Sequence, residues 1–547
     1  MYARWLLLIL LVAAALRLAA LDQAPPGLNQ DEAINAWDAW CLLRTGRDHA
    51  GAAWPVFYAR ALGENRTTLF LYLLLPFQAL GGLNVWTLRL PVVLAGLATI
   101  ALVHWIGARL WSREAGVAGA ALLAVMPWHV HLSRWGHEGC LTALLTVLPI
   151  AALLWAGLPP LSPERAPRPW RSLLAGLLAG LCCYGYPAVR ITLPFVLAAY
   201  AVATWRPWRA RDAPRGPQRW TPPALFAAGL LATFGPLAWQ HGFNAREINR
   251  RGEAIWAWSP QDSIAERAGK VFARYPGHFG PDFLFQNGDH YETAWASGFG
   301  LLGGFMAPLL AIGLVNVGRS AARSTGARIL LAWLLAYPVG DCFSRHMSLH
   351  VLRAAAGAAP LALLAGVGLV DVMRWFPRTR MMGVCCAAAC ALALTAGEQT
   401  ARFLHHYFLQ RPREIAVYRS QHVDYVQACA ALRGRLDEYD AVAFTLEESW
   451  ALFSVVMVGL QYDPQRWHAE PREFVTRGLW DDYQRVGCLY FLEPGVRERL
   501  AAELESNGRA DRVLWVLRPE EAGIGRRVGV IRNETGEAML VMWEAEL

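Results

Sequence analysis

The sequence predicts a polytopic α-helical membrane protein of about eleven spans, N-terminus inside and C-terminus outside, with a C-terminal extracytoplasmic α/β domain. Three observations carry this. Composition is the first: 55% of the 547 residues are hydrophobic and only 17% are charged, against a charged share of about 25% in soluble domains. A soluble fold of this length does not hide so much apolar surface, and a disordered chain does not carry it. Mean hydropathy is only +0.25, so a large water-exposed part accompanies the spans. The second observation is a series of apolar runs near span length. The third is where arginine falls between them.

The first run, Trp5 to Leu21, follows Arg4. A cleaved signal peptide has the same pattern, but the many later runs favour an uncleaved first helix. Those runs occupy 88–108, 115–132, 139–158, 172–185, 188–205, 222–240, 298–317, 328–341, 354–373 and 381–397. Most approach the ~20 apolar residues that cross a bilayer. Segment 22–87 is too apolar for a plain loop, and within it Ala33–Leu43 and Leu69–Leu80 read as helices lying at the membrane interface.

Orientation follows from the basic loops. One side receives Arg109 and Arg113; Arg165, Arg168 and Arg171; Arg206, Arg209, Arg211, Arg215 and Arg219; Arg319, Arg323 and Arg328; and Arg374, Arg378 and Arg380. That one-sidedness is what the positive-inside rule requires. Lys270 is the only lysine, so the net charge of +8 is arginine charge. Its pattern sets orientation and implies no nucleic-acid partner.

Two domains result. Residues 1–400 form a transmembrane module with external loops 22–87 and 241–297. Residues 401–547 form a soluble α/β domain, in which Asp440–Thr445, Gly487–Leu492 and Arg512–Leu517 read as strands between helical stretches. Val528–Arg532 and Ala538–Trp543 flank Asn533-Glu534-Thr535-Gly536 and read as a hairpin. Glu447, Glu448, Asp481 and Asp482 read as solvated surface. The ten cysteines form no metal pattern. Cys182, Cys183, Cys385, Cys386 and Cys390 lie in apolar runs as small hydrophobes, and a Cys429–Cys488 disulfide is left open by spacing alone.

The chemistry-bearing residues lie on the outer side. Gly27-Leu28-Asn29-Gln30-Asp31-Glu32-Ala33 puts two carboxylates at a helix start. One reading is capping, where acids meet free N–H groups and the positive dipole end. The other is a catalytic base or metal-binding pair facing a membrane cavity. Glu138 ends the segment His131-Leu132-Ser133-Arg134-Trp135-Gly136-His137-Glu138. A carboxylate at a membrane boundary is costly unless solvated, paired or used. Asp31 and Glu138 are therefore candidates for one cavity, with an Arg134–Glu138 pair as the alternative for Glu138. Outer arginines Arg60, Arg66, Arg134, Arg190, Arg345 and Arg353, with His346, run against the positive-inside trend. Guanidinium groups bind phosphate through paired hydrogen bonds; snorkelling to headgroups or carboxylate pairing is the alternative. The stretch Phe283–Glu292 reads as a substrate loop through Asn287, Asp289 and His290, or as a structured turn. The spacing of Asp289, His290 and Glu292 matches no known metal-ligand set.

Together these residues resemble the GT-C superfamily of membrane glycosyltransferases, in particular the protein O-mannosyltransferases and the lipid A aminoarabinose transferases. The resemblance covers residues 1–400. It rests on Asp31-Glu32-Ala33, on Trp86-Thr87-Leu88-Arg89-Leu90-Pro91, and on Met126-Pro127 followed by Ser133-Arg134 and Glu138. It continues through Tyr184-Gly185-Tyr186-Pro187-Ala188-Val189-Arg190, the loop Asn287-Gly288-Asp289, and His350 to Arg353 before Pro360. Such a resemblance implies transfer of a hexosyl or pentosyl group from a polyprenyl-phosphate carrier to a protein, lipid or glycan acceptor, with inversion.

By the same resemblance Asp31 matches the acid that activates the acceptor, and Glu138 matches the second acidic position, with Glu where Asp is common. In the mechanism this suggests, Glu32 and Glu138 orient the acceptor or bind a metal. Arg66 stands where the family often has lysine, though the proline that follows that lysine is absent. Arg134, Arg190, Arg345, His346 and Arg353 are the candidates for the lipid phosphate. A divalent metal ion is left open, since the family includes members with and without one. The near-total use of arginine over lysine points to a bacterial plasma (inner) membrane. The rival readings are a lipid or glycan transporter or flippase, and a non-catalytic scaffold.

Overall fold

A computed structural model describes residues 1–158, 168–209, 217–243, 256–290, 295–296, 298–344, 349–375, 382–446, 451–477, 480–493, 497–506 and 512–546. The chain divides into two compact units, residues 1–19 with 92–406, and residues 20–91 with 407–547.

The first unit is helical. A helix lies on each predicted apolar run, at Tyr2–Leu18, Val85–Leu110, Arg113–Val125, Thr142–Ala156, Pro169–Cys182, Pro187–Arg209, Pro217–Phe243, Met306–Ser320, Thr325–Ala336, Ala358–Trp375 and Met382–His405. Among the described residues five helical stretches are long and apolar enough to cross a membrane: Val85–Leu110, Glu138–Ala156, Pro187–Trp205, Trp220–Phe243 and Ala355–Trp375. Several other runs break early for local reasons. The run at 115–132 stops at Val125, because Pro127 cannot continue the preceding turn and starts a short helix of its own, Pro127–Leu132.

Glycines let these helices touch. A Cβ on Gly176 would lie 2.0 Å from the Phe226 carbonyl oxygen, and one on Gly229 would lie 2.3 Å from that of Leu173. Helices Pro169–Cys182 and Pro217–Phe243 therefore meet backbone to backbone. Gly313 and Gly368 do the same for Met306–Ser320 and Ala358–Trp375. Lipid tails provide no hydrophobic drive between helices, so close packing through small residues carries the association.

The second unit is built on a seven-stranded sheet. Its strands are β3 (Ala441–Thr445), β4 (Arg472–Arg477), β5 (Trp480–Val486), β6 (Leu489–Leu492), β7 (Arg512–Leu517), β8 (Arg526–Arg532) and β9 (Ala538–Glu546). A separate hairpin, β1 (Tyr58–Ala61) and β2 (Glu64–Thr67), precedes them. The order is β4-β5-β6-β3-β7-β9-β8, with β3 parallel to β6 and β7 and the other pairs antiparallel. Central β3 is buried at every position, as a parallel strand covered on both faces must be. Leu500 and Leu504 of helix Arg497–Ser506 pack on Ala443, Val513 and Trp515.

The three predicted strands and the hairpin lie where the sequence puts them. β4 and β5 do not announce themselves, because Arg472–Val486 is rich in charge and lacks alternating apolar positions.

Helix Gln30–Thr45 is largely buried in this unit. Trp37 meets Trp467 edge to face, ring centroids 5.6 Å apart, and the helix also packs on Leu452–Leu460. Residues 20–91 thus share a core with the C-terminal segment. One surface expectation changes here, and one open question closes. Asp482 is buried rather than solvated, accepting hydrogen bonds from the N–H groups of Ala451 and Tyr483 at 3.2 and 2.8 Å. Cys429 and Cys488 are both free thiols rather than a disulfide. Glu447, Glu448 and Cys385 fall outside the described residues or side chains.

Candidate active site

In the second unit the two adjacent acids have opposite environments. Asn29 caps helix Gln30–Thr45, its side-chain oxygen accepting from the Asp31 N–H at 2.9 Å. Capping therefore belongs to Asn29. Asp31, in the first turn, pairs with Arg66 of β2 and keeps 26% of its side-chain surface exposed. Its charge sits at the positive end of the helix dipole.

Glu32 is fully buried and held by a two-pronged ion pair: Arg89 Nε donates to Oε1 at 2.9 Å and Nη2 to Oε2 at 2.8 Å. Arg89 also donates to the carbonyls of Leu21 and Pro25 at 2.8 Å each, and of Gly27 at 3.0 Å. Glu32 and Arg89 together pin the strand of chain that leads into the helix, and so set where Asp31 stands. Arg89 lies in the quoted Trp86–Pro91 stretch. Its role was invisible in sequence because its partner is 57 residues away.

In the first unit Glu138 is buried beside His137, with Oε2 3.7 Å from Nδ1. Arg134 is fully buried and donates to the carbonyls of Leu16, Arg17 and Ala19 at 2.9, 2.8 and 2.7 Å. It closes the C-terminal end of the first helix, where carbonyls lack intrahelical partners. Arg190 contacts His241.

Arg353 joins a cluster centred on Asp341. Its Nη1 donates to Ser344 Oγ at 2.6 Å and lies 4.0 Å from Asp341 Oδ1. Asp341 Oδ2 receives the His350 N–H at 3.1 Å, faces His278 Nε2 at 3.1 Å, and lies 3.8 Å from Arg274. The sequence reading missed Asp341, His278 and Arg274. An acid closing the apolar run 328–341 is the one available signal, because such a charge needs partners. Arg345 and His346 lie outside the described residues.

The loop residues separate. Asp289 is buried and accepts the Val351 N–H at 2.9 Å, with His350 Nδ1 at 3.9 Å. Asn287 and His290 instead bind Asp282, at 2.6 and 2.8 Å, on the surface. Asp289 therefore ties its loop to the Asp341 cluster, and the other two close a turn. Among the described residues no three His, Cys, Asp or Glu side chains gather to hold a metal ion.

Residues 65–215 match the family of dolichyl-phosphate-mannose-protein mannosyltransferases. Across the whole chain the backbone superposes on ArnT from Cupriavidus metallidurans bound to undecaprenyl phosphate. There the TM-score is 0.53 at 15% identity, covering 98% of each chain. The apo form of the same protein gives a TM-score of 0.55 at 14% identity, covering 99% of this chain and 98% of the other. The chain has the GT-C glycosyltransferase fold. The same fold relates it to the oligosaccharyltransferase AglB from Archaeoglobus fulgidus, in complex with an inhibitory peptide and a dolichol-phosphate. That match has a TM-score of 0.53 at 13% identity, over 94% of this chain and 69% of that one. No curated protein sequence matches the chain significantly. The GT-C resemblance read from Asp31, Arg134 and the later motifs is thus borne out at the level of fold.

Proposed function

We propose that this GT-C protein transfers a sugar from a polyprenyl-phosphate carrier to an acceptor on the outer face of a bacterial plasma membrane, with inversion. The observation that carries the reading is the contrast between the two adjacent acids. Asp31 keeps 26% of its side-chain surface exposed while pairing with Arg66, whereas Glu32 is fully buried against Arg89. The fold shared with undecaprenyl-phosphate-bound ArnT supports the donor class.

In this reading Asp31 accepts the hydrogen bond of the acceptor nucleophile and takes its proton as the new bond forms. Arg66 fixes the carboxylate. The nucleophile attacks the anomeric carbon on the face opposite the departing phosphate, which inverts the configuration. The anomeric C–O bond breaks with its electron pair going to the phosphate oxygen, so a second negative charge develops on the leaving polyprenyl phosphate, which already carries one as a diester. Guanidinium groups in a low-dielectric setting compensate such charge strongly, and Arg353, Arg274 and Arg190 are assigned to that task. Glu138 orients the acceptor. Arg134 and Glu32 hold structure.

The test is transfer from a panel of radiolabelled polyprenyl-phosphate sugars to native membrane extract. Label moves to product with the wild type and stays on the lipid with Asp31→Asn. Equal turnover by the two proteins overturns the assignment.

A further inference from the structure

A pocket lies in the unit formed by residues 20–91 and 407–547. Its volume is about 290 Å³, and its lining includes none of Asp31, Glu32, Arg66 or Arg89. That is the lower end of the ligand-pocket range of about 300–1,000 Å³, the size of a single sugar ring rather than an oligosaccharide.

Its walls combine cations with aromatic rings. Arg60 comes from β1 and lies over the Phe474 ring at 5.7 Å. Arg472, on β4, lies over Trp467 at 5.2 Å and donates to the His49 carbonyl at 3.2 Å. His49 is buried and oriented by Asp38, whose Oδ1 meets both the His49 N–H at 3.0 Å and Nδ1 at 2.5 Å. Burial lowers the His49 pKa, but the Asp38 charge and hydrogen bond outweigh it and raise the value above that of a free histidine. Phe453, Phe474 and Tyr483 complete the wall, with centroids 4.8 Å apart for Phe453–Tyr483 and 5.5 Å for Phe474–Tyr483. Among the described residues no carboxylate lines the pocket.

Two arginines and a histidine lining one small cavity suit a phosphate, since arginine matches its oxygens with paired donors. Three aromatic rings beside them suit the C–H face of a sugar, as ring faces carry partial negative charge. We infer that this pocket, formed by His49, Arg60, Arg472, Phe453, Phe474 and Tyr483, binds a phosphorylated sugar, at a site separate from Asp31. The inference does not depend on the transferase reading, because binding is read without turnover.

The test is calorimetric titration of the detergent-solubilised full chain with glucose 1-phosphate, glucose and inorganic phosphate. Glucose 1-phosphate is expected to bind at least about tenfold more tightly than either alone, because charge-assisted hydrogen bonds and ring contact both contribute. Arg60→Gln and Arg472→Gln should each weaken it by about tenfold or more. Phe474→Ala should weaken glucose 1-phosphate while leaving inorganic phosphate unchanged. Thermal melts confirm that each variant is folded, and Arg60, at the surface, keeps the test open should Arg472→Gln unfold.

A competition arm identifies the source. Displacement by an alkyl glucosyl phosphate in nanodiscs at lower concentration than by soluble sugar phosphate assigns a glycolipid headgroup; the reverse assigns a free sugar phosphate. Absence of binding to the wild type, equal affinity for glucose, or unchanged affinity in the Arg60→Gln/Arg472→Gln double variant overturns the inference.

Discussion

Glu32 and Asp31 are neighbours in sequence, and their structural settings predict opposite failures. Replacing Glu32 by Gln removes the negative charge from a fully buried ion pair. The Arg89 guanidinium then stays buried against three carbonyls without its counter-charge. Breaking one side of a buried pair costs about 3–5 kcal/mol, a large part of the usual 5–15 kcal/mol of total stability. For a unit of roughly 200 residues, each kcal/mol corresponds to about 2–4 °C. The apparent Tm of Glu32→Gln should therefore fall by about 6–20 °C. Asp31→Asn leaves a partly exposed side chain in contact with Arg66. Arg66 itself is buried, so this pair lies between the exposed limit of about 0–1 kcal/mol and the buried one of about 3–5 kcal/mol. The Tm of Asp31→Asn should therefore fall by less than that of Glu32→Gln, with transfer abolished. The assay pairs thermal unfolding in detergent, at one fixed scan rate, with single-turnover transfer on the same preparations. A Glu32→Gln protein that melts like wild type but does not turn over would refute the division of roles, since Glu32 would then act in the chemistry rather than in holding the chain.

Three other predictions test separate parts of the structure. Burial, with the Asp38 charge second, raises the Asp48 carboxyl to about 6, above the value of about 3.9 in an unfolded chain. The native state thus holds this proton more tightly, and its stabilising contribution, complete below pH ~4, is lost as pH rises through ~6. Tm should fall from pH 5 to 7, and Asp48→Asn, which keeps an acceptor for the Ala52 N–H, should flatten that slope.

Gly368→Leu places a Cβ 1.9 Å from the Leu309 carbonyl oxygen and should cost about 1–3 kcal/mol or more through overpacking. Gly318→Leu, with open space around it, should leave the folded fraction on size-exclusion chromatography unchanged. Asp341→Asn weakens the charge that gathers His278, His350, Arg274 and Arg353. On the reading that these cations hold the donor phosphate, KM for the polyprenyl-phosphate sugar should rise about tenfold. An unchanged KM would separate that cluster from donor binding.

Much of the architecture needs only local information. Apolar run length placed a helix on every predicted span, because a stretch of that composition has one way to satisfy its backbone in hydrocarbon. The strands Ala441–Thr445 and Arg512–Leu517 were legible from their β-branched and aromatic content. Arg472–Val486 was not, since its pairing with β6 supplies what its own sequence lacks. For the candidate site, residue type alone marked Asp31, Glu138 and Arg353 as costly and therefore partnered.

What each partner is could come only from the tertiary fold. Four arginines near apolar helices look alike in sequence, yet Arg134 closes a helix end, Arg89 neutralises Glu32, Arg66 holds Asp31 and Arg353 joins Asp341. The sequence by itself determined where charge had to be compensated, because burying a charge is expensive wherever it occurs. The tertiary structure decided which compensation leaves an acid partly exposed and which buries it, because that depends on groups brought together from positions 35 to 57 residues apart.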